Sequence, residues 1–295
     1  MSGPVRIALF AVLLALVFGG AAVAGAALDP DPGGDGADSG EGHGDDRMKA
    51  EDDGHDAAHV EKPSLPTGLA LADGGLRLEL DQRRLVAGRR KDLSFRILGA
   101  KGNALRAFDV EHDRRMHLIV VRRDLTGFQH LHPRMSSDGT WRTPIELRDG
   151  GSYRVYADFS SGGDSHTLGG DVQVPGPFEP RELPHASDRA AADGGYEVRL
   201  TESAGDARFS VYSGGRRVTD VEPYLGARGH LVALREGDLA YLHVHPESEA
   251  TKGGDIRFRV EYPSDGRYRL FLQFKHDGKV RTAAFTQEVG LEHGH

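Results

Sequence analysis

A duplication limits what this chain can fold into more than any other feature. Residues 116–133, MHLIVVRRDLTGFQHLHP, align without gaps on residues 229–246, GHLVALREGDLAYLHVHP, with six identities: His, Leu, Arg, His, His and Pro. Three of the six are histidine, a residue found only 15 times among 295. The agreement extends downstream, where GSYRVYADF and GRYRLFLQF share Gly, Tyr, Arg and Phe at matching places. Each copy spans about a hundred residues, a usual domain size. The chain must therefore build one small fold twice.

The type of fold follows from the pattern within each copy. LRLEL and DLSFRIL alternate apolar with polar or charged residues, a period of two that suits a half-buried strand. RMHLIVVRR is apolar on both faces, as expected of a central sheet strand. Turn signals at Ser137-Asp138-Gly139 and Asp149-Gly150-Gly151 punctuate these runs. In the second copy YEVRLTES, DARFSVYS, IRFRVEYP and TAAFTQEV follow in the same order. Short strands at such regular spacing predict an all-β fold of two tandem antiparallel sandwiches, immunoglobulin-like or cupredoxin-like. The boundaries read as repeat 1 over 70–176, a Pro-rich connector over 177–193, repeat 2 over 194–290 and a tail over 291–295.

Two further segments precede the repeats. Residues 1–28 contain 22 uncharged and mostly apolar residues from Ile7 to Leu28, enough to cross a hydrocarbon core of about 30 Å. The run AAVAGAA also offers A-x-A cleavage sites, so a single-pass anchor and a cleaved signal peptide both stand, with length favouring the anchor. Either reading predicts a cell-membrane or secreted protein whose domains lie outside the cytoplasm. Residues 29–69 read as a disordered acidic linker. Between Leu28 and Pro63 there are twelve Asp or Glu against three Lys or Arg, which leaves the repeats nearly neutral and gives no footprint for nucleic acid. His43, His55 and His59 sit among those carboxylates and could collect divalent metal weakly.

The chain has no cysteine, which excludes disulfides, zinc–thiolate sites, iron–sulfur clusters and the cysteine-containing blue-copper centre. A bound metal must use imidazole, carboxylate or backbone oxygen. Both repeats spell His-x12-His-x-His-Pro: His117, His130 and His132, then His230, His243 and His245. On a strand, residues i and i+2 share a face, so each His-x-His pair stands side by side. A hairpin through Asp124–Gly127 would bring His117 to His130 and His132. Three neutral imidazoles suit a copper or zinc ion. Asp158 and Gln273 occupy matching positions and are the outer-ligand or orienting partners, differing by one charge.

Two readings remain open. In the first, each repeat holds copper, or next zinc, with its three histidines; no organic cofactor is implied. In the second, the sandwiches dock a protein of the cell envelope and the histidines brace a hairpin as hydrogen-bond bridges. His112, His166, His185 and His276 have no counterpart in the other repeat and read as surface or loop residues, while His293 and His295 belong to the tail. Trp141 and Tyr153 read as core. Catalysis is not expected, because no Gly-x-Ser-x-Gly elbow or comparable constellation is present.

At MHLIVVRRDLTGFQHLHP and YLGARGHLVALREGDLAYLHVHP the chain resembles exported, membrane-anchored bacterial proteins of actinobacterial type with tandem sandwich-like domains. The resemblance spans roughly residues 70–290 and implies export and a duplicated architecture, but no activity. The LHVHP segment is also superficially similar to the His-x-His pair of copper–zinc superoxide dismutases. Their histidine-rich zinc loop and disulfide cysteines are missing here, so dismutase activity is not implied.

Overall fold

A computed structural model describes residues 66–203, 205–242, 244–247 and 254–290. The first repeat forms β1 (Ala72–Asp73), β2 (Leu76–Leu80), β3 (Lys91–Leu98), β4 (His117–Arg122), β5 (Gln129–Leu131), β6 (Arg134–Met135), β7 (Trp141–Ile145), β8 (Gly151–Ser161) and β9 (Asp164–Val174). The second forms β10 (Arg189–Ala192), β11 (Tyr196–Ser203), β12 (Asp206–Ser213), β13 (Arg216–Arg217), β14 (Gly229–Arg235), β15 (Tyr241–Leu242), β16 (Val244–Pro246), β17 (Ile256–Val260), β18 (Gly266–His276) and β19 (Lys279–Val289). The fold is all-β, as the alternating patterns predict. β10 lies inside the segment read from sequence as connector and pairs with β11. Residues 1–28, the acidic linker to residue 65 and the tail lie outside the described residues, and no described helix is long and apolar enough to cross a membrane.

In repeat 1 one sheet runs β1-β2-β3-β7-β6 and the other β5-β4-β8-β9. Repeat 2 copies both orders, as β10-β11-β12-β17-β16 and β15-β14-β18-β19, with a single pairing of Ala192 to Ala283 joining them into one continuous ladder. Leu78, Phe95, Leu118, Trp141, Tyr153 and Val155 fill the first sandwich; Val198, Phe209, Leu231, Phe258, Leu270 and Phe285 fill the second. The β4–β5 and β14–β15 hairpins keep the same register, with Val120 opposite Gln129 and Ala233 opposite Leu242. The duplication is thus structural as well as sequential.

β4 is buried at all six positions, and the reason is not confined to its own sandwich. Leu118 and Val120 face the repeat 1 core. Ile119 and Val121, on the opposite face, meet Val232 and Leu234 of β14 in a third apolar cluster that joins the repeats. Leu125, Tyr156, Leu183, Leu239, Tyr241 and Phe271 complete that cluster. A sandwich strand usually shows one face to water; here each central strand shows it to the other repeat. Phe128 stacks on Phe271 with 4.0 Å between ring centres, and Tyr241 lies 5.4 Å from Tyr156. Since Phe128 matches Tyr241 in the repeat alignment, and both rings meet the same position of the opposite β8 or β18, the joint has approximate two-fold symmetry.

The chain just before β1 seals this joint. The Tyr241 amide donates to the Thr67 carbonyl at 3.0 Å, and the Thr67 hydroxyl donates to the Tyr241 carbonyl at 2.9 Å. Gly68 follows at φ +72°, and a Cβ there would come within 2.7 Å of the Tyr156 ring and 2.9 Å of Tyr241 Cβ. Only glycine fits both the backbone angle and the space.

Candidate metal centre

The same faces that carry the apolar joint carry the histidines. His117 precedes Ile119 by two residues on β4, and His230 precedes Val232 by two on β14, so both imidazoles point across the joint. They lie nearly parallel, with 5.3 Å between ring centres and 6° between planes. His130 sits opposite Ile119 on β5 and therefore shares this face. Its ring centre is 5.2 Å from that of His117 and 4.5 Å from that of His230. One potential ligand nitrogen from each of His117, His130 and His230 falls within 4.8 Å of the others.

This grouping crosses the repeats. The sequence assigned His117, His130 and His132 to one site and His230, His243 and His245 to another. The structure brings His117 and His130 together through the predicted hairpin and adds His230 from the second repeat. His132 flanks the group, its ring centre 4.7 Å from His130 and 5.3 Å from His117, on the same side of the sheet. His243 lies outside the described residues. The His245 backbone pairs with Arg259 in β16–β17, so the chain after Leu242 has left the β14 sheet. In repeat 1, by contrast, β5 continues on β4 to Leu131.

His112, read from sequence as a loop residue, belongs to the surroundings of this cluster. Its ring centre lies 6.2 Å from His117 and 6.0 Å from His230. His112 and Asp113 both have positive φ, 48° and 61°, in the turn closed by the Glu111–Arg114 bridge. The matching turn of repeat 2 places Leu225 and Gly226 there, with Tyr224 bridged to Ala227. A histidine opposite a leucine leaves no trace in a search for shared histidines. His276 instead bonds the Tyr196 hydroxyl at 2.7 Å, and His166 packs on Phe159, so both serve their own sandwich. Of the weak-capture residues, His43, His55 and His59 lie outside the described residues.

Hydrogen bonds orient two of the three rings. His130 Nδ1 is 2.7 Å from Gln273 Oε1, an oxygen that the Tyr224 hydroxyl also approaches at 3.5 Å while Gln273 Nε2 donates to the Thr282 hydroxyl at 3.3 Å. An amide oxygen facing His130 takes a hydrogen from Nδ1, whereas the amide turned over gives one to it. His117 Nε2 is 3.2 Å from the Glu111 carbonyl, which only accepts. A neutral imidazole has one N–H. His117 Nδ1 and His130 Nε2 face each other at 3.0 Å, and the tautomers decide which of them carries the hydrogen. His230 Nε2 and His132 Nε2 are buried without any hydrogen-bond partner.

The surroundings oppose protonation of these rings. Burial pushes His130 well below the usual imidazole range, and the His117 and His132 rings add to that. Burial also pushes His230 well below, reinforced by His130 and His117. His117 is lowered by burial, partly offset by the Asp158 carboxylate. His132 is lowered to about 4 by burial, with His117 and Arg114 contributing. The cluster is a set of neutral donors facing inward.

Asp158 lies opposite His117 across β4–β8, and Gln273 lies opposite His230 across β14–β18. The Asp158 carboxylate accepts from the Thr167 hydroxyl at 2.8 Å and from the Tyr241 hydroxyl of the other repeat at 3.3 Å. A small cavity beside the cluster is lined by Glu111, His112, His117, Asp158, His230 and Tyr241, among others.

Fold and site together define a tandem β-sandwich protein with a histidine cluster at the joint of its sandwiches. The chain belongs to the family described as "Domain of unknown function (DUF8832)", which matches residues 70–176 and 190–290 as two copies. No functionally curated protein matches it in sequence. Among solved structures it is similar to the Lin-41 filamin domain, at 10% identity over 38% of this chain and 98% of that one, with a TM-score of 0.24. It is also similar to a Salmonella alpha-2-macroglobulin, at 16% identity over 76% of this chain and 15% of that one, with a TM-score of 0.28. The Escherichia coli adhesin FdeC matches at 12% identity over 75% of this chain and 66% of that one, with a TM-score of 0.26. Likenesses this loose carry no functional argument.

Proposed function

We propose that the protein binds one metal ion between its two sandwiches, using His117, His130 and His230 as ligands, and that it does so outside the cytoplasm on a membrane tether formed by residues 1–28. The observation that carries the metal reading is the convergence of one ring nitrogen from each of His117, His130 and His230 within 4.8 Å, with His117 Nδ1 and His130 Nε2 only 3.0 Å apart. Metal-bound imidazoles characteristically give their outer N–H to a carbonyl or carboxylate oxygen, as His117 does to the Glu111 carbonyl. Two nitrogens bound to one tetrahedral zinc at about 2.0–2.1 Å stand about 3.3 Å apart, so the pair needs to open by only a few tenths of an ångström. The buried, unpartnered Nε2 of His230 supplies the third donor.

Copper is the leading ion and zinc the next, because an all-nitrogen set without thiolate suits both. The tether rests on the apolar length of residues 7–28 and on nothing in the folded domains. The rival reading, an envelope-interaction module braced by histidines, draws on the His130–Gln273 bond between repeats. It gives no role to the buried, unpartnered Nε2 of His230.

The test is a titration of the full-length, metal-stripped protein with Cu(I), Cu(II) and Zn(II), beside His117→Ala/His130→Ala and His230→Ala. One strong site per chain, lost in both variants above any weak background from His43, His55 and His59, is the expected result. Strong binding that survives both variants, or none in the wild type, overturns the reading.

A further inference from the structure

The two sandwiches put chemically different residues at one and the same place. Asp158 and Gln273 hold equivalent register positions, opposite His117 and His230. Their contacts also match: each meets a threonine hydroxyl of its own sandwich, Thr167 or Thr282, and each meets a polar group of the other repeat. For Asp158 that group is the Tyr241 hydroxyl, and for Gln273 it is His130 Nδ1. One negative charge separates the two positions. The remaining charges at the cavity beside the cluster, Glu111 and Arg114, have opposite signs.

We propose that this asymmetry makes the site selective for a monovalent ion, Cu(I), over Zn(II), and that Gln273 sets the selectivity. The inference rests on the metal reading above and goes further by fixing the ion's charge. Three neutral imidazoles bring no charge to the ion, and among the described residues no carboxylate joins them as a ligand. The Asp158 oxygens are engaged by hydroxyls, so this residue contributes charge at one remove and no bond. The cost of taking an ion out of water rises with the square of its charge, and a buried charge is tolerated only when compensated. Cu(I) with Asp158 leaves the site neutral; Zn(II) leaves it at +1. Zinc also calls for a fourth ligand, normally water or carboxylate when the protein supplies three. Zn(II) has the same filled d shell, so it is the lower charge of Cu(I) that lets it rest with three nitrogens. A glutamate at 273 would accept from His130 Nδ1 and would bring the second negative charge a divalent ion needs.

The experiment measures Cu(I) affinity, anaerobically with ascorbate against a chromogenic Cu(I) chelator, and Zn(II) affinity against a zinc chelator. It uses the full-length protein, wild type, Gln273→Glu and Asp158→Asn. The wild type is expected to prefer Cu(I). In Gln273→Glu the ratio of Zn(II) to Cu(I) affinity should rise at least tenfold. In Asp158→Asn, an isosteric change that tests the charge should a buried glutamate disturb folding, the ratio should fall at least tenfold. A wild type that prefers Zn(II), or a ratio within threefold of wild type in both variants while both ions still bind, overturns the selectivity and leaves the metal site standing. Binding of neither ion to the wild type overturns both.

Discussion

The imidazoles of His117 and His230 stack almost parallel, 5.3 Å apart, although each belongs to a different sandwich. They occupy matching positions of the repeat, so they mark the approximate two-fold axis of the joint. His130 lies over His230 as well as beside His117. A site on such an axis belongs to neither domain alone.

Stoichiometry is the first consequence. Two independent three-histidine sites would take two ions per chain, and losing one histidine of repeat 2 would spare the repeat 1 site. The shared site predicts one strongly held ion, abolished by His230→Ala as fully as by His130→Ala. Because a ligand that binds only the folded state stabilises it by mass action, saturating metal should raise the melting temperature of the wild type by several degrees and leave His230→Ala unmoved. Calorimetric titration and a thermal melt of the same samples check both halves.

The aromatic pair across the joint gives a prediction independent of any metal. Phe128 is partly buried and stacks at 4.0 Å on Phe271, whose ring is 4% exposed. Phe128→Ala removes most of a large apolar contact between the repeats and should cost about 2–3 kcal/mol in urea unfolding, at the lower side of phenylalanine truncations because the ring is not fully enclosed. If the joint were only an incidental contact, the loss would stay below about 0.5 kcal/mol, as for surface changes.

Much of this was legible in the sequence, for definable reasons. Strand period, turn residues and the ungapped repeat are local properties, and they led to two antiparallel sandwiches and to the hairpin that joins His117 with His130. The relative placement of two domains is not local. An internal alignment equates His117 with His230 but carries no information on whether the two ever meet. The signal that could have told was present in RMHLIVVRR. Residues Ile119 and Val121 are apolar on the face a two-layer sandwich normally leaves to water, and Val232 and Leu234 repeat the anomaly. Read as a sheet-interior strand, that pattern concealed an interface. His112 carries no such signal, because its repeat partner is Leu225.

Gly68 offers a test of how tightly the joint is sealed. Its φ of +72° and the proximity of Tyr156 and Tyr241 leave no room for a Cβ. Gly68→Ala should combine left-handed strain with overpacking and destabilise the protein by about 2–3 kcal/mol. The Thr67 pairing with Tyr241 would be disturbed with it, so amide exchange at Tyr241 should accelerate in the variant. A neutral result would mean that the segment before β1 is not anchored where the structure places it.

Asp124 supplies the prediction about pH. Its carboxylate and the Arg122 guanidinium are each only 4% exposed, and they meet at 2.6 Å in the turn after β4. Burial by itself raises the Asp124 pKa, but the Arg122 pair outweighs it together with the Arg181 amide and the Thr126 hydroxyl and amide, so the group is held at about 2. A folded pKa below the unfolded value of about 3.9 means that the unfolded chain binds the proton more readily between these two values. The stabilisation is therefore complete above about pH 4 and is lost as pH falls through about 2. Because the Arg181 amide belongs to the connector, the same carboxylate ties the segment between the sandwiches to repeat 1. Asp124→Asn removes the nearer of the two carboxylates at Arg122, leaving Asp149 at 3.9 Å, and should cost about 2–3 kcal/mol at pH 7. It should also flatten the acid limb of the stability curve between about pH 4 and pH 2, measured by urea unfolding across that range. An unchanged acid limb in the variant would remove Asp124 as its source.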